Sequence, residues 1–165
     1  MINKKTALII GAGANIQYGF PSGWELVKEI CKKFNHQDTI DSRQLLESGY
    51  NINLLLKFVS ALRESGQISV DSFLEHRPEY IDIGKVAIAY VLLQHEHKNS
   101  LFHMNINENW YQYLWGRLSS KLDSFENNKL SIITFNYDRS LEYYLFNAMK
   151  NSYGLKNSNC AQKML

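Results

Sequence analysis

The sequence has little cysteine, little proline and no long apolar run. Its 165 residues include two cysteines and two prolines. Two cysteines without Cys-x-x-Cys spacing supply neither a disulfide framework nor enough ligands for a zinc site. The longest apolar run, residues 86–93, is too short to cross a bilayer, and the first residues lack the apolar core of a secretory signal. We therefore expect a cytoplasmic protein that holds no metal and contacts no membrane.

An excess of charge of one sign is also missing. Lys and Arg together number 18, Asp and Glu 16, and the net charge is +2. The basic residues form no stripe, so the sequence does not predict a nucleic-acid surface. A hydrophobic share of 45% and a charged share of 21% are typical of a globular chain long enough for one domain with a core.

Two short motifs more than a hundred residues apart stand out. The apolar run 6–10 leads into Gly11-Ala12-Gly13-Ala14-Asn15, and the run 130–135 leads into Asn136-Tyr137-Asp138. Each pattern is typical of a buried parallel strand that ends at a ligand site. The first motif offers backbone N–H groups to a phosphate, and the second offers an amide and a carboxylate. The sequence therefore predicts an α/β fold with a parallel sheet and a nucleotide at the strand ends.

Both motifs also have simpler explanations. The glycines can form a turn without a ligand, because Ile16 stands where the dehydrogenase fingerprint has its third glycine, and no P-loop sequence follows. Asn136 or Asp138 can serve as the N-cap of a following helix.

Only helices are predicted between the two strands. The patterns favour helices over 23–34, 53–64, 80–97 and 108–125, and another after Asp138 that Gly154 ends. No clear period follows residue 154. Two strands alone do not make a stable sheet. We therefore expect further strands that the pattern hides, a continuation beyond residue 165, or a partner chain that completes the sheet.

The two motifs resemble those of a known family. Gly11-Ala12-Gly13-Ala14-Asn15 followed by Tyr18-Gly19-Phe20-Pro21 resembles the sirtuin motif Gly-Ala-Gly-Ile-Ser followed by Ser-Gly-Ile-Pro. Thr134-Phe135-Asn136-Tyr137-Asp138 with Leu141-Glu142 resembles the sirtuin motif Thr-Gln-Asn-Ile-Asp-x-Leu-Glu. The version here is closer still to bacterial sirtuin-like NAD hydrolases, many of which act in antiphage defence.

The resemblance implies a single Rossmann-like domain that binds NAD, with a helical insertion over about 36–127. Asn136 is then expected to hold the nicotinamide ribose or the attacking water, and Asp138 to contact the carboxamide. The residues expected to bind the rest of NAD are Gly11, Ala12, Gly13, Asn15, Pro21 and Thr134.

Departures from the family narrow the expected activity. Ser22-Gly23-Trp24 replaces the Asp-Phe-Arg of protein deacylases, and their zinc-binding cysteines are missing. The resemblance therefore implies hydrolysis of NAD to nicotinamide and ADP-ribose, in antiphage defence, rather than deacylation. The family histidine that follows the Asn-x-Asp segment is also absent, since the five histidines all precede it: His36, His76, His95, His97 and His103.

That missing histidine leads us to expect that the C-terminal part of the family domain lies outside this sequence. Two alternatives to catalysis stay open. One is a catalytically silent module that binds NAD or ADP-ribose. The other is a helical interaction fragment that folds with a partner protein or as a homo-oligomer.

Overall fold

A computed structural model describes residues 1–102 and 109–164. The chain divides into two compact units. The sheet unit comprises Met1–Gly19 and His97–Leu165, and the helical unit comprises Phe20–Glu96. His103 and the predicted helix start at Glu108 lie outside the described residues. Within the described part of the chain, no helix combines the length and apolar character needed to cross a bilayer.

The helical unit is built from five α-helices around one apolar core. Ser22 caps the first helix in a capping box, because its hydroxyl accepts from the Glu25 N–H while the Glu25 carboxylate accepts from the Ser22 N–H. The fully buried core side chains come mainly from the first, third and fifth helices. The helices are α1 Gly23–Lys33, α2 Ile40–Glu47, α3 Ile52–Glu64, α4 Val70–His76 and α5 Ile81–Leu93, with a 3₁₀ helix at Pro78–Tyr80 before α5.

The sheet unit contains two parallel strands. Strand β1 spans Thr6–Ile10 and strand β2 spans Leu130–Thr134. In register, Thr6 lies opposite Leu130 and Ile10 opposite Thr134. Both strands and their parallel pairing confirm the sequence prediction. Among the described residues the sheet has only these two strands, so the structure is mostly helical with a small parallel sheet.

The prediction that both strands are buried is wrong. One face of the sheet is uncovered, and Ile9 and Ile133 on that face are 67% and 49% exposed. On the other face Ile10 is only 4% exposed. The apolar pattern predicted burial on both sides because parallel sheets are normally covered on both. Here the described residues cover the Ile10 side in part, since Ile132 on that side is 36% exposed, and leave the Ile9 side open.

Among its described residues, the sheet unit also contains four α-helices and two 3₁₀ helices. A 3₁₀ helix at Ala12–Tyr18 follows β1 and ends at Gly19, whose φ of 89° is left-handed. A second 3₁₀ helix spans Leu122–Asn127, just before β2. The α-helices are α6 Lys98–Leu101, α7 Trp110–Leu118, α8 Ser140–Tyr153 and α9 Asn157–Met164.

Two helix ends and one additional helix differ from the sequence prediction, while α8 ends at Gly154 as predicted. Helix α7 stops at Leu118 instead of continuing to 125. The Tyr153 hydroxyl binds both the N–H and the carbonyl oxygen of Ser120, so these backbone groups are satisfied without a helix. Helix α5 ends before residue 97, and α9 forms where no pattern was found.

Candidate functional site

A pocket lies where the two strands of the sheet unit end. Because the strands are parallel and Ile10 pairs with Thr134, both motifs begin at the same edge of the sheet. The Phe135 N–H donates to the Ile10 carbonyl at 2.9 Å and extends the pairing by one residue. The cavity has a volume of about 230 Å³. Its lining residues are Ile10, Asn15, Ile132, Thr134, Asn136, Asp138, Leu141, Glu142 and Leu145.

Asp138 has two structural contacts in this pocket. Its carboxylate accepts two hydrogen bonds from the Asn15 amide, at 2.8 Å to Oδ1 and 2.9 Å to Oδ2. Its Oδ1 also accepts from the N–H of Ser140, the first residue of α8, at 3.0 Å. The N-cap of α8 is Arg139, so the prediction that Asn136 or Asp138 is the N-cap is wrong, although Asp138 still accepts from the first N–H of the helix. Among the described residues, Oδ2 accepts from Asn15 alone, which leaves acceptor capacity on that oxygen.

Asn136 is held by its backbone rather than by its side chain. Its N–H donates to the Thr134 hydroxyl at 3.0 Å. Its side-chain Oδ1 is shielded from solvent and has no hydrogen-bond partner within the described part of the chain. Leaving a buried carbonyl oxygen unpaired costs about 1–3 kcal/mol. A ligand group that donates to this oxygen would recover that free energy.

The charged groups of the pocket are acidic. Asp138 and Glu142 line it, and none of the described lining residues is basic. The Arg139 guanidinium lies 3.9 Å from the Glu142 carboxylate, and both side chains are solvent-exposed. The site therefore presents hydrogen-bond acceptors and negative charge. It suits a ligand group that donates hydrogen bonds or carries positive charge.

A group of aromatic side chains lies beneath the pocket. The Tyr111 hydroxyl donates to Asn15 Oδ1 at 2.8 Å, and the Tyr111 N–H donates to the Tyr18 hydroxyl at 3.0 Å. The two rings stack with centroids 4.1 Å apart. Burial raises the pKa of Tyr111, and the nearby Asp138 carboxylate raises the same pKa further. Tyr111 therefore stays protonated and can donate at physiological pH.

Four of the eight predicted site residues line the pocket: Asn15, Thr134, Asn136 and Asp138. Gly11, Ala12 and Gly13 are exposed at the end of β1 and are not among its lining residues. Pro21 belongs to the helical unit.

Sequence reasoning did not name the apolar lining residues, and it assigned no role to two polar residues, Glu142 in the pocket and Tyr111 next to it. Glu142 lies in the first turn of α8, and its place in the second motif, directly after Leu141, could have identified it. Tyr111 was not among the predicted site residues. It is buried, but no local pattern indicates that its hydroxyl contacts Asn15, 96 residues away in the chain.

No family model, curated protein or solved structure matches this chain. The resemblance to sirtuin-like NAD hydrolases thus stays a prediction from the motifs. The function has to be argued from the chemistry of the pocket.

Proposed function

We propose that the sheet unit carries a Rossmann-like site for NAD and hydrolyses NAD to nicotinamide and ADP-ribose, with a role in antiphage defence. The observation that carries the proposal is the unpartnered Oδ1 of Asn136 in a pocket that also holds the Asp138 carboxylate. Both residues follow a strand whose carboxyl end lies beside that of its parallel neighbour. Nucleotides bind at such strand ends in open α/β sheets.

The chemistry of the pocket favours the nicotinamide end of NAD over its phosphates. A carboxamide donates hydrogen bonds and a pyridinium carries positive charge, and the pocket offers acceptors and carboxylates to both. The cavity of about 230 Å³ is smaller than the ~300–1,000 Å³ typical of small-molecule sites. It therefore suits nicotinamide and its ribose rather than the whole dinucleotide.

The exposed glycines offer a place for the phosphates. Neither Gly11 nor Gly13 has a positive φ, and a Cβ added at either would meet no described atom within 4 Å. The fold of the described residues therefore gives no reason for glycine at these positions. Close approach of a pyrophosphate to the backbone N–H groups would give one.

The proposed reaction needs little acid catalysis. Water adds to the anomeric carbon of the ribose as the carbon–nitrogen bond to the pyridinium breaks. The bonding electrons pass to the ring nitrogen, neutral nicotinamide leaves, and the proton of the water goes to solvent. In this scheme the Asn136 amide orients the water or a ribose hydroxyl. The Asp138 carboxylate stabilises positive charge on the sugar as it develops.

Calorimetric titration with NAD and a nicotinamide-release assay test the proposal. Asn136→Ala is expected to abolish turnover and to leave the circular dichroism spectrum unchanged. Asn151→Ala removes the same amide from an exposed position on α8 and serves as the matched control. NAD consumption by Asn136→Ala at the wild-type rate would remove this residue from the mechanism.

A second candidate is a module that binds NAD or ADP-ribose without reaction. The structural contacts of Asp138, which accepts from the Asn15 amide and from the Ser140 N–H, favour this candidate. Heat of binding in the NAD titration without release of nicotinamide would support this binding module. Absence of both signals would select instead the interaction fragment, which the exposed apolar side chains Ile9, Ile133 and Phe135 favour.

A further inference from the structure

We propose that Tyr111 is a positioning residue of this site: its hydroxyl fixes the orientation of the Asn15 amide, and that amide holds the Asp138 carboxylate in place. Three side chains thus form a directed chain of hydrogen bonds from the interior of the sheet unit to the pocket. The consequence for ligand affinity rests on the proposed NAD site, while the hydrogen-bond chain itself does not.

The direction of the chain follows from donor and acceptor chemistry. An ionised carboxylate only accepts, so the Asn15 Nδ2 must face Asp138, as its distances of 2.8 and 2.9 Å to the two oxygens show. The opposite orientation would set two acceptor oxygens against each other. In the observed orientation the buried Asn15 Oδ1 needs a donor. The Tyr111 hydroxyl at 2.8 Å provides it.

Tyr111 is itself held firmly. It is fully buried, and both its backbone and its ring contact Tyr18. The Tyr18 hydroxyl donates to Asn109 Oδ1 at 3.1 Å, and the Trp110 Nε1–H donates to the Ala14 carbonyl at 2.8 Å. The start of α7 is therefore tied to the 3₁₀ helix that carries Asn15.

The effect on the pocket is to present one particular oxygen. The Asp138 Oδ1 accepts from both Asn15 and the Ser140 N–H, whereas Oδ2 accepts from Asn15 alone among the described residues. Fixing the Asn15 amide therefore leaves Oδ2 with capacity to accept from a donor group of a ligand. Without the Tyr111 hydroxyl, the buried Asn15 Oδ1 loses its donor, and the Asn15 amide is held less firmly against the Asp138 carboxylate.

The first test needs no ligand. Tyr111→Phe removes only the hydroxyl, and Tyr144→Phe is the matched control, since Tyr144 is also buried in the sheet unit but makes no hydrogen bond to Asn15 or Asp138. In NMR spectra, Tyr111→Phe is expected to shift the Asn15 side-chain amide signals, to speed their hydrogen exchange and to shift the Asp138 carboxyl carbon. Tyr144→Phe is expected to change none of these. Unchanged Asn15 and Asp138 signals in Tyr111→Phe would overturn the proposal.

The second test uses NAD as the probe. Tyr111→Phe is expected to weaken NAD binding by about tenfold, as for an interaction of ordinary hydrogen-bond strength. In an Asp138→Asn background the same substitution is expected to have no further effect, because the partner side chain can then pair with either orientation of Asn15. A purely structural role would lower the melting temperature equally in both backgrounds and leave affinity unchanged. Full, undiminished affinity in folded Tyr111→Phe would contradict the proposal.

If Tyr111→Phe does not fold, Asn15→Ala carries the test. Removing the bridging amide must shift the Asp138 carboxyl carbon, and an unchanged signal would overturn the proposal. If the NMR changes appear as expected but the wild-type chain does not bind NAD, the proposed function is wrong and the positioning role of Tyr111 stands.

Discussion

Neighbouring isoleucines on β1 provide a matched test of the one-sided sheet. Ile9 is 67% exposed and Ile10 is 4% exposed, although the two are adjacent in one strand. Replacing each by threonine is the same chemical change and keeps the β-branched side chain that strands favour. Any difference between the variants therefore reports burial alone.

The expected free energies of unfolding differ severalfold. Ile10→Thr removes buried apolar volume and buries a hydroxyl, which together cost about 2–4 kcal/mol. Ile9→Thr changes an exposed side chain and should lie within about 0.5 kcal/mol of wild type. With a urea dependence of about 2 kcal/mol/M, the middle of the usual range, Ile10→Thr should lower the unfolding midpoint by about 1–2 M.

Tryptophan fluorescence is a suitable measure of unfolding. Trp110 and Trp115 are half-buried in the sheet unit, whereas Trp24 in the helical unit is 49% exposed. The signal therefore reports mainly the sheet unit. Equal destabilisation by both substitutions would refute the reasoning, since it would mean that both faces of the sheet are covered in solution.

Three further predictions concern the cap of α1, the end of α8 and the turn that contains Gly11 and Gly13. Hydrogen bonding from the Ser22 N–H lowers the pKa of Glu25. The contribution of Glu25 to helix stability is therefore fully present above the ordinary pKa of about 4.5 and is lost as pH falls through the lowered pKa. Circular dichroism should show this acid dependence in wild type and not in Glu25→Gln. Gly154→Ala should destabilise the chain by about 1–3 kcal/mol in urea unfolding, because φ at this position is 65° and alanine is strained there; an unchanged midpoint would argue against the left-handed end of α8. Gly13→Ala should leave stability unchanged or slightly raised and should weaken NAD binding in calorimetry. Gly116 has as much free space for a Cβ, and Gly116→Ala should leave NAD binding unchanged. Equal NAD affinity in the two variants would show that the phosphates do not bind at the Gly13 turn.

The sequence predicted the local features of the fold well. Both strands and the helix end at Gly154 follow from short-range rules on apolar runs and left-handed glycines. The burial of the strands could not be predicted in this way. An apolar β-branched run shows that a strand could be buried, but it does not show whether other elements cover the strand.

Local sequence patterns likewise predicted only part of the candidate site. Asn136 and Asp138 were identified because they directly follow a strand, and Asn15 through the resemblance to the sirtuin motif. Tyr111 could not be found in this way, since its role depends on a hydrogen bond to a residue 96 positions away. A contact of that kind depends on the tertiary fold and leaves no local pattern.

The most direct test of the central claim is the NMR signal of the Asn136 side-chain amide during titration with NAD. The unpartnered oxygen of this amide is the feature on which the proposed site depends. We expect NAD to shift the Asn136 signal in a saturable way while the exposed amide of Asn151 stays unchanged. Either of two results would contradict the account. One is an Asn136 signal that does not move at NAD concentrations that saturate binding in calorimetry. The other is the absence of any NAD binding in calorimetry.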